Sequence, residues 1–189
     1  VAAEYLDVPA RDDLQQMRDW DVLVEHTGAS ILADHPDGLS VRELWAFVVQ
    51  RLPWIEQWYD EATGGSTSAS VNFSYKSTGL VKAGLIAKYD RRWHLTSVGR
   101  AALEAHSERD DFYRLAHEAY RYWERNRERF DAASDLIEGI PDETWVSAED
   151  LASDLAVDLE RLLGWLQGAR PTGGRRCSTR TGIRQRYTG

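Results

Sequence analysis

Between Asn72 and Lys82 the chain reads NFSYKSTGLVK, and between Asp90 and Leu95 it reads DRRWHL. Amides, hydroxyls and amines at this density provide donors and acceptors for base edges and cations for phosphates. On a helix, Asn72, Ser74, Tyr75, Lys76 and Ser77 would face the major groove with Lys82 beyond them. On a hairpin behind it, Arg91, Arg92 and His94 would touch the backbone. Local charge agrees: from Ser70 to Arg100 the bases are Lys76, Lys82, Lys88, Arg91, Arg92 and Arg100, against the single acid Asp90, although the whole chain carries −8. No acid follows Glu160, whereas seven arginines do. The local sign matters more than the total for a phosphate-facing surface.

Bond-breaking chemistry finds little support. A Mg²⁺-dependent nuclease of the PD-(D/E)xK kind needs carboxylates and a nearby lysine, and the sequence has neither E-x-K nor D-x-K. The five histidines form no H-x-x-x-H pair, and Cys177 has no second cysteine, so no zinc site is expected. Gly64-Gly65 is followed by hydroxyls without a lysine, which is no phosphate-binding loop. Asp12-Asp13 and Asp110-Asp111 lie in polar stretches and read as solvated faces or helix N-terminal charges. The expectation is therefore a chain that is not an enzyme and needs no cofactor. A single cysteine and no apolar run of membrane-spanning length point to the cytoplasm and away from a membrane.

The elements that must position these residues follow from periodicity. Asp19 to Ala33 predicts a helix with Trp20, Leu23, Val24, Ile31 and Leu32 on its apolar side. Ser40-Val-Arg-Glu43 is a capping box opening a second helix, ended by Pro53. Val71 to Ala83 predicts a helix stopped by Gly84. Leu85–Tyr89 and Trp93–Leu95 predict two short strands, and Thr96 caps the next helix. This is the order of a winged helix-turn-helix. Ser107 to Phe130 predicts one amphipathic helix, with Phe112, Ala116, Ala119, Tyr120, Trp123 and Phe130 on one stripe.

The string Leu80-Val-Lys-Ala-Gly-Leu-Ile86, with Trp93-His-Leu-Thr96 and Gly99-Arg100, resembles the N-terminal winged helix of Mrr-type restriction proteins over roughly residues 20–103. The resemblance implies delivery of a nuclease or motor to DNA, often modified DNA.

Beyond residue 130 the pattern restarts. Ser147-Ala-Glu-Asp150 is another capping box, Leu151, Ala152 and Leu155 give a short helix, and Leu159 to Leu166 a second one, with Arg161 and Trp165 on one side. Trp145-Val146 reads as a short extended entry. Ile140-Pro141, Ser147, Asp150-Leu151-Ala152 and Arg161-Leu-Leu-Gly164 resemble the DNA-binding domain of alkylguanine-DNA alkyltransferases and alkyltransferase-like proteins. The resemblance implies that Arg161 intercalates where a base is rotated out. Ala148 stands where the family has tyrosine, and Cys177 lies outside the nucleophile position, so alkyl transfer is not expected.

The expected architecture is thus mainly α: an N-terminal arm (1–18), a winged helix-turn-helix with a short hairpin wing (19–106), a long connecting helix (107–130), an alkyltransferase-like helix-turn-helix (131–170) and a basic tail (171–189). The expected function is non-catalytic recognition of double-stranded DNA, modified DNA included, in a restriction or defence system, with a partner nuclease or motor. Two alternatives stand beside it. One is a dimeric winged-helix regulator using the 107–130 helix as its seam; the other is a protein-interaction module with little DNA affinity. The tail has two readings, a disordered basic arm that binds phosphate non-specifically and a frameshifted terminus. Resequencing the gene through its downstream region separates them: an uninterrupted stop codon in the present frame excludes the frameshift.

Overall fold

The computed structural model describes residues 13–65, 67–139 and 147–168. Among them, nine helices and one two-stranded antiparallel hairpin make a mainly helical architecture. Residues 1–12, Ile140-Pro141, the expected extended entry at Trp145-Val146, and the tail with Cys177 lie outside the described residues.

Helix α1 (Asp13–Asp34) begins earlier than its apolar pattern, so residues 13–18 of the expected arm are helical. Its predicted apolar side is the buried one: Trp20, Leu23, Val24, Ile31 and Leu32 all enter the core. Helix α2 (Val41–Arg51) opens with the predicted box, Glu43 N donating to Ser40 Oγ at 3.3 Å and Ser40 N to Glu43 Oε2 at 2.8 Å. Past Pro53, α3 (Ile55–Thr63) supplies Ile55 and Tyr59 to the core. Trp20 then meets Tyr59 at 4.9 Å between ring centroids, and Trp45 meets Phe73 at 5.3 Å.

Helix α4 (Ala69–Lys82) carries the polar segment. It ends as its sequence requires: Gly84 takes φ +75°, Leu85 N donates to Leu80 O at 2.9 Å, and Gly84 N donates to Val81 O at 2.9 Å. These are the two bonds that close a helix through a left-handed glycine. Strands β1 (Ile86–Tyr89) and β2 (Arg92–Leu95) pair with Tyr89 opposite Arg92. The two turn residues Asp90 and Arg91 both have positive φ, the arrangement a two-residue hairpin needs to match strand twist. Leu39, between α1 and α2, bridges Trp93 and adds a third short extended segment beside β2.

Helix α5 (Ser97–Ala105) follows, capped as predicted by Thr96. The expected continuous helix over 107–130 is instead two helices, α6 (Arg109–Arg125) and α7 (Arg127–Gly139). The break is at Asn126, whose side-chain amide donates to Tyr122 O at 2.9 Å in competition with the backbone ladder. Periodicity does not register such a break, because Phe130 stays apolar on either side of it. The break lets Phe130 enter a second core with Trp123, Ala133, Leu151, Leu162 and Leu166. That core is completed by α8 (Ala148–Leu155), N-capped by Ser147, and α9 (Leu159–Gly168).

The boundary expected near residue 130 does not separate two free modules. Helix α9 lies against β1 and α5 as well as α8. A Cβ on Gly164 would sit 2.6 Å from the Gly84 carbonyl oxygen, so the two backbones touch where only glycine fits. Gly164→Ala therefore forces α9 off β1, and we expect a loss of about 1–3 kcal/mol in urea unfolding. Gly79, where a Cβ meets nothing within 4 Å, is the control. Gly79→Ala in the interior of α4 should raise stability by up to about 1 kcal/mol. Equal effects from the two substitutions would contradict this packing.

Candidate nucleic-acid interface

On α4 the exposed ridge is Val71, Tyr75 and Thr78, at helical spacing, and Tyr75 is 72% exposed. The predicted contacts divide around it. Asn72 and Ser74 flank the ridge half-buried, and Asn72 Nδ2 is a buried donor without a partner. Ser77 is a correction: it is 1% exposed, its hydroxyl donating to Ser74 O at 2.7 Å and accepting from Lys88 Nζ at 2.9 Å. It faces the core because it shares a side of α4 with Phe73 and Leu80.

The lysines are engaged inside the molecule. Lys76 Nζ donates to Asp21 Oδ2 at 2.6 Å. Lys82 Nζ lies 4.4 Å from the Trp123 ring centroid and Lys88 Nζ 3.9 Å from that of Trp93, both in cation–π geometry. Burial alone pulls Lys88 down to about 8.

On the hairpin, Arg91 is exposed at the turn. Arg92 Nη1 instead donates to Gly38 O at 2.7 Å, tying the hairpin to the α1–α2 loop. His94 stacks on Tyr89 at 3.9 Å with the rings parallel. Burial holds its imidazole below the ordinary value, so at neutral pH it brings no positive charge to a phosphate. Arg92 and His94, both expected at the DNA backbone, take part in the hairpin's own anchoring.

In the second unit, Ser147 Oγ accepts from Asp150 N at 2.9 Å, which is a cap and occupies the hydroxyl. Arg161 is half-buried and its backbone N donates to Asp158 Oδ1 at 2.9 Å. Trp165 packs on Phe130 at 5.4 Å. With Leu162 and Leu166 in the second core and Gly164 on Gly84, α9 has no broad free face to insert into a groove. The structure brings Tyr75 and Arg91 to solvent with Ser74 half-buried beside them, encloses the Asn72 amide nitrogen, and does not join them to Ser147, Arg161 or Trp165.

Residues that the sequence reading passed over form a groove of about 400 Å³ between α1, α4 and α6, beside the α4 ridge. Asp21 and Glu25, one turn apart on α1, line it with Tyr75, Lys76, Lys82 and Tyr113. Both acids are over nine-tenths buried, at 6% and 8% exposed. Burial raises Asp21, an effect the Lys76 ion pair offsets only in part. Burial, reinforced by the Asp21 charge, pushes Glu25 up to about 8. Desolvation works to lower Lys76, but the Asp21 carboxylate outweighs it and the ammonium is held above its ordinary value. Burial also raises the Tyr113 phenol, with Glu25 and Asp21 adding to the effect. The available signal was an acid pair four residues apart inside the apolar run from Trp20 to Leu32.

No family model matches the chain, and neither the curated proteins nor the solved structures contain a match.

Glu25 makes stability depend on pH. Its carboxyl is protonated in the folded state up to about 8, against 4.5 ordinarily. Between those values the folded chain holds the extra proton, so stability falls as pH rises through this window and levels off above it. Glu25→Gln removes the effect. In urea unfolding, the variant should gain on the parent by on the order of 2–4 kcal/mol between about pH 5 and pH 8. A difference that does not change with pH would count against it.

Proposed function

We propose that the chain is a non-catalytic DNA-binding and sensing module of the winged helix-turn-helix type, acting in the cytoplasm within a restriction or defence system, with modified DNA among its targets. The observation that carries this reading is the placement of the α4 ridge (Val71, Tyr75, Thr78) beside a hairpin whose turn exposes Arg91. A helix with hydrogen-bonding side chains next to a basic hairpin suits a duplex, the helix entering the major groove and the hairpin the adjoining backbone. The Leu39–Trp93 bridge supports it too, since a short strand between the first two helices, paired to the wing, belongs to that topology. The resemblance to Mrr-type winged helices rests on Leu80 to Ile86 and on Trp93 to Arg100, the segments that build the α4 terminus, the hairpin and the α5 cap.

The contact set is narrower than the sequence suggests: Tyr75 and Ser74 from α4, and Arg91 from the hairpin. The alkyltransferase-like half serves as a brace that holds β1 and α5 through α9. The dimeric-regulator alternative loses its seam, because Phe112, Ala116, Ala119 and Trp123 are buried within the chain. Among the described residues no helix is long and apolar enough to cross a membrane.

Lys76→Glu is a poor test, since it would place a third acid beside Asp21 and Glu25 and disturb folding. Arg91→Glu and Tyr75→Ala leave the core intact. Electrophoretic binding to plain, cytosine-methylated and alkylated duplexes at two salt concentrations should show the parent binding at least one of them. Arg91→Glu should weaken binding across sequences and lower the salt slope by about 1. Tyr75→Ala should cost about 1–3 kcal/mol on the preferred duplex. A parent that binds no duplex, or variants that bind as it does, would refute the proposal.

A further inference from the structure

Lys76 differs from the other held bases of the Ser70–Arg100 segment in what holds it. Lys82 lies on the Trp123 ring and Lys88 on the Trp93 ring, while Arg92 donates to the Gly38 carbonyl and Arg100 to the Ala33 carbonyl. Rings and carbonyls attract a cation and leave its charge in place. Lys76 Nζ sits 2.6 Å from Asp21 Oδ2, in an ion pair that cancels the charge across 55 residues of sequence.

Stability does not account for the acid. The Asp21 side chain is 9% exposed, and its second oxygen, Oδ1, is buried and accepts no hydrogen bond among the described residues. Burying a carboxylate is unfavourable unless its remaining lone pairs find donors, and buried polar atoms almost always do. Asp21 stands on α1 between two core residues, Trp20 and Val22. Well-packed apolar side chains in place of such a pair are commonly neutral or stabilising.

The lysine, by contrast, is placed for a partner outside the molecule. It follows Tyr75 on α4, and its side chain is 41% exposed. Its ammonium stands at the end of a flexible four-carbon stem. When a helix lies in the major groove, bases beside its reading residues meet the flanking phosphates. The carboxylate of Asp21 removes Lys76 from that set.

We infer that Asp21 is a positioning residue that withholds Lys76 from phosphates and so sets the sequence-independent part of duplex affinity. The inference rests on the duplex reading of α4. Phosphate contacts supply essentially all of the affinity for arbitrary DNA, so an acid placed here lowers retention at unrelated sites. The base-reading contacts of the Tyr75 ridge then form a larger share of what remains.

The test is a fluorescence-anisotropy titration of the full chain on a preferred and an unrelated duplex, at about 50 and about 200 mM salt. Asp21→Asn keeps the shape of the side chain and removes its charge. It should bind about three- to tenfold more tightly at the lower salt, with a salt slope steeper by about 1. The gain should be the same factor on both duplexes, because a phosphate contact carries no sequence information. Asp21→Asn/Lys76→Met should return the slope to that of the parent. Glu25→Gln, which leaves the Asp21–Lys76 bond in place, should not change the slope. An ion pair with only a structural role would move stability and leave every slope alike.

In the unsubstituted protein the side-chain ammonium signal of Lys76 should keep its position as duplex is added, while the guanidinium signal of Arg91 moves. That readout needs no variant. The inference alone fails if the parent binds duplex and Asp21→Asn shows the parent's slope. It also fails if the gain survives Lys76→Met, if Glu25→Gln steepens the slope as much, or if duplex moves the Lys76 signal. If neither the parent nor Asp21→Asn binds any duplex, the duplex reading itself falls and the inference with it.

Discussion

The Thr96 hydroxyl donates to the Gly84 carbonyl at 2.7 Å and accepts from Gly99 N at 2.9 Å, while Thr96 N donates to Leu85 O at 3.0 Å. One buried residue thereby ties the end of α4, the start of β1, the end of β2 and the first turn of α5. Helix α9 crosses the same point, where Gly164 meets Gly84 backbone to backbone. The angle between α4 and the hairpin, and so the relation of the Tyr75 ridge to Arg91, is set here. Neither glycine tolerates a side chain, and Gly84 also needs a left-handed φ. The node is over-determined, which is what a rigid platform for surface side chains requires.

Around this node the segment from Ser70 to Arg100 spends most of its basic residues internally. Lys76 neutralises Asp21, Lys82 lies on Trp123, Lys88 on Trp93, and Arg92 holds the Gly38 carbonyl. Burying charge in this way is seldom a net gain in stability, because desolvation is about as large as the attraction it allows. Its effect is arrangement: two acids stay buried beneath α4 and the hairpin stays against the α1–α2 loop. What remains at the surface of the basic segment is sparse: Tyr75 and Arg91 are exposed and Ser74 is half-buried.

The local part of the fold was legible in the residues. Ser40 with Glu43, Thr96 with Gly99, Gly84 after Lys82 and the apolar side of α1 all appear where spacing places them, since caps and periodicity are short-range physics. The break at Asn126 was not legible. An asparagine is tolerated within helices, and its bond to Tyr122 O becomes decisive only because Phe130 has a core to enter. The same holds for the site: Tyr75 and Arg91 reach the surface, whereas the Asn72 amide nitrogen and Ser77 are enclosed and His94 is neutral.

By itself the sequence determined the elements, their caps and turns, the mainly helical class and the concentration of basic residues from Ser70 to Arg100. These depend on side-chain type and on spacing along one segment. Tertiary structure alone decided which polar groups stay free, because a lysine's availability depends on what lies across from it: Asp21 is 55 residues from Lys76, and Trp123 belongs to another helix. It also decided that the last helix braces the first unit, through a contact between two glycines whose identity says only that space is short. And it placed Glu25 largely buried in the lining of a groove, where a sequence shows simply one more acid on a helix.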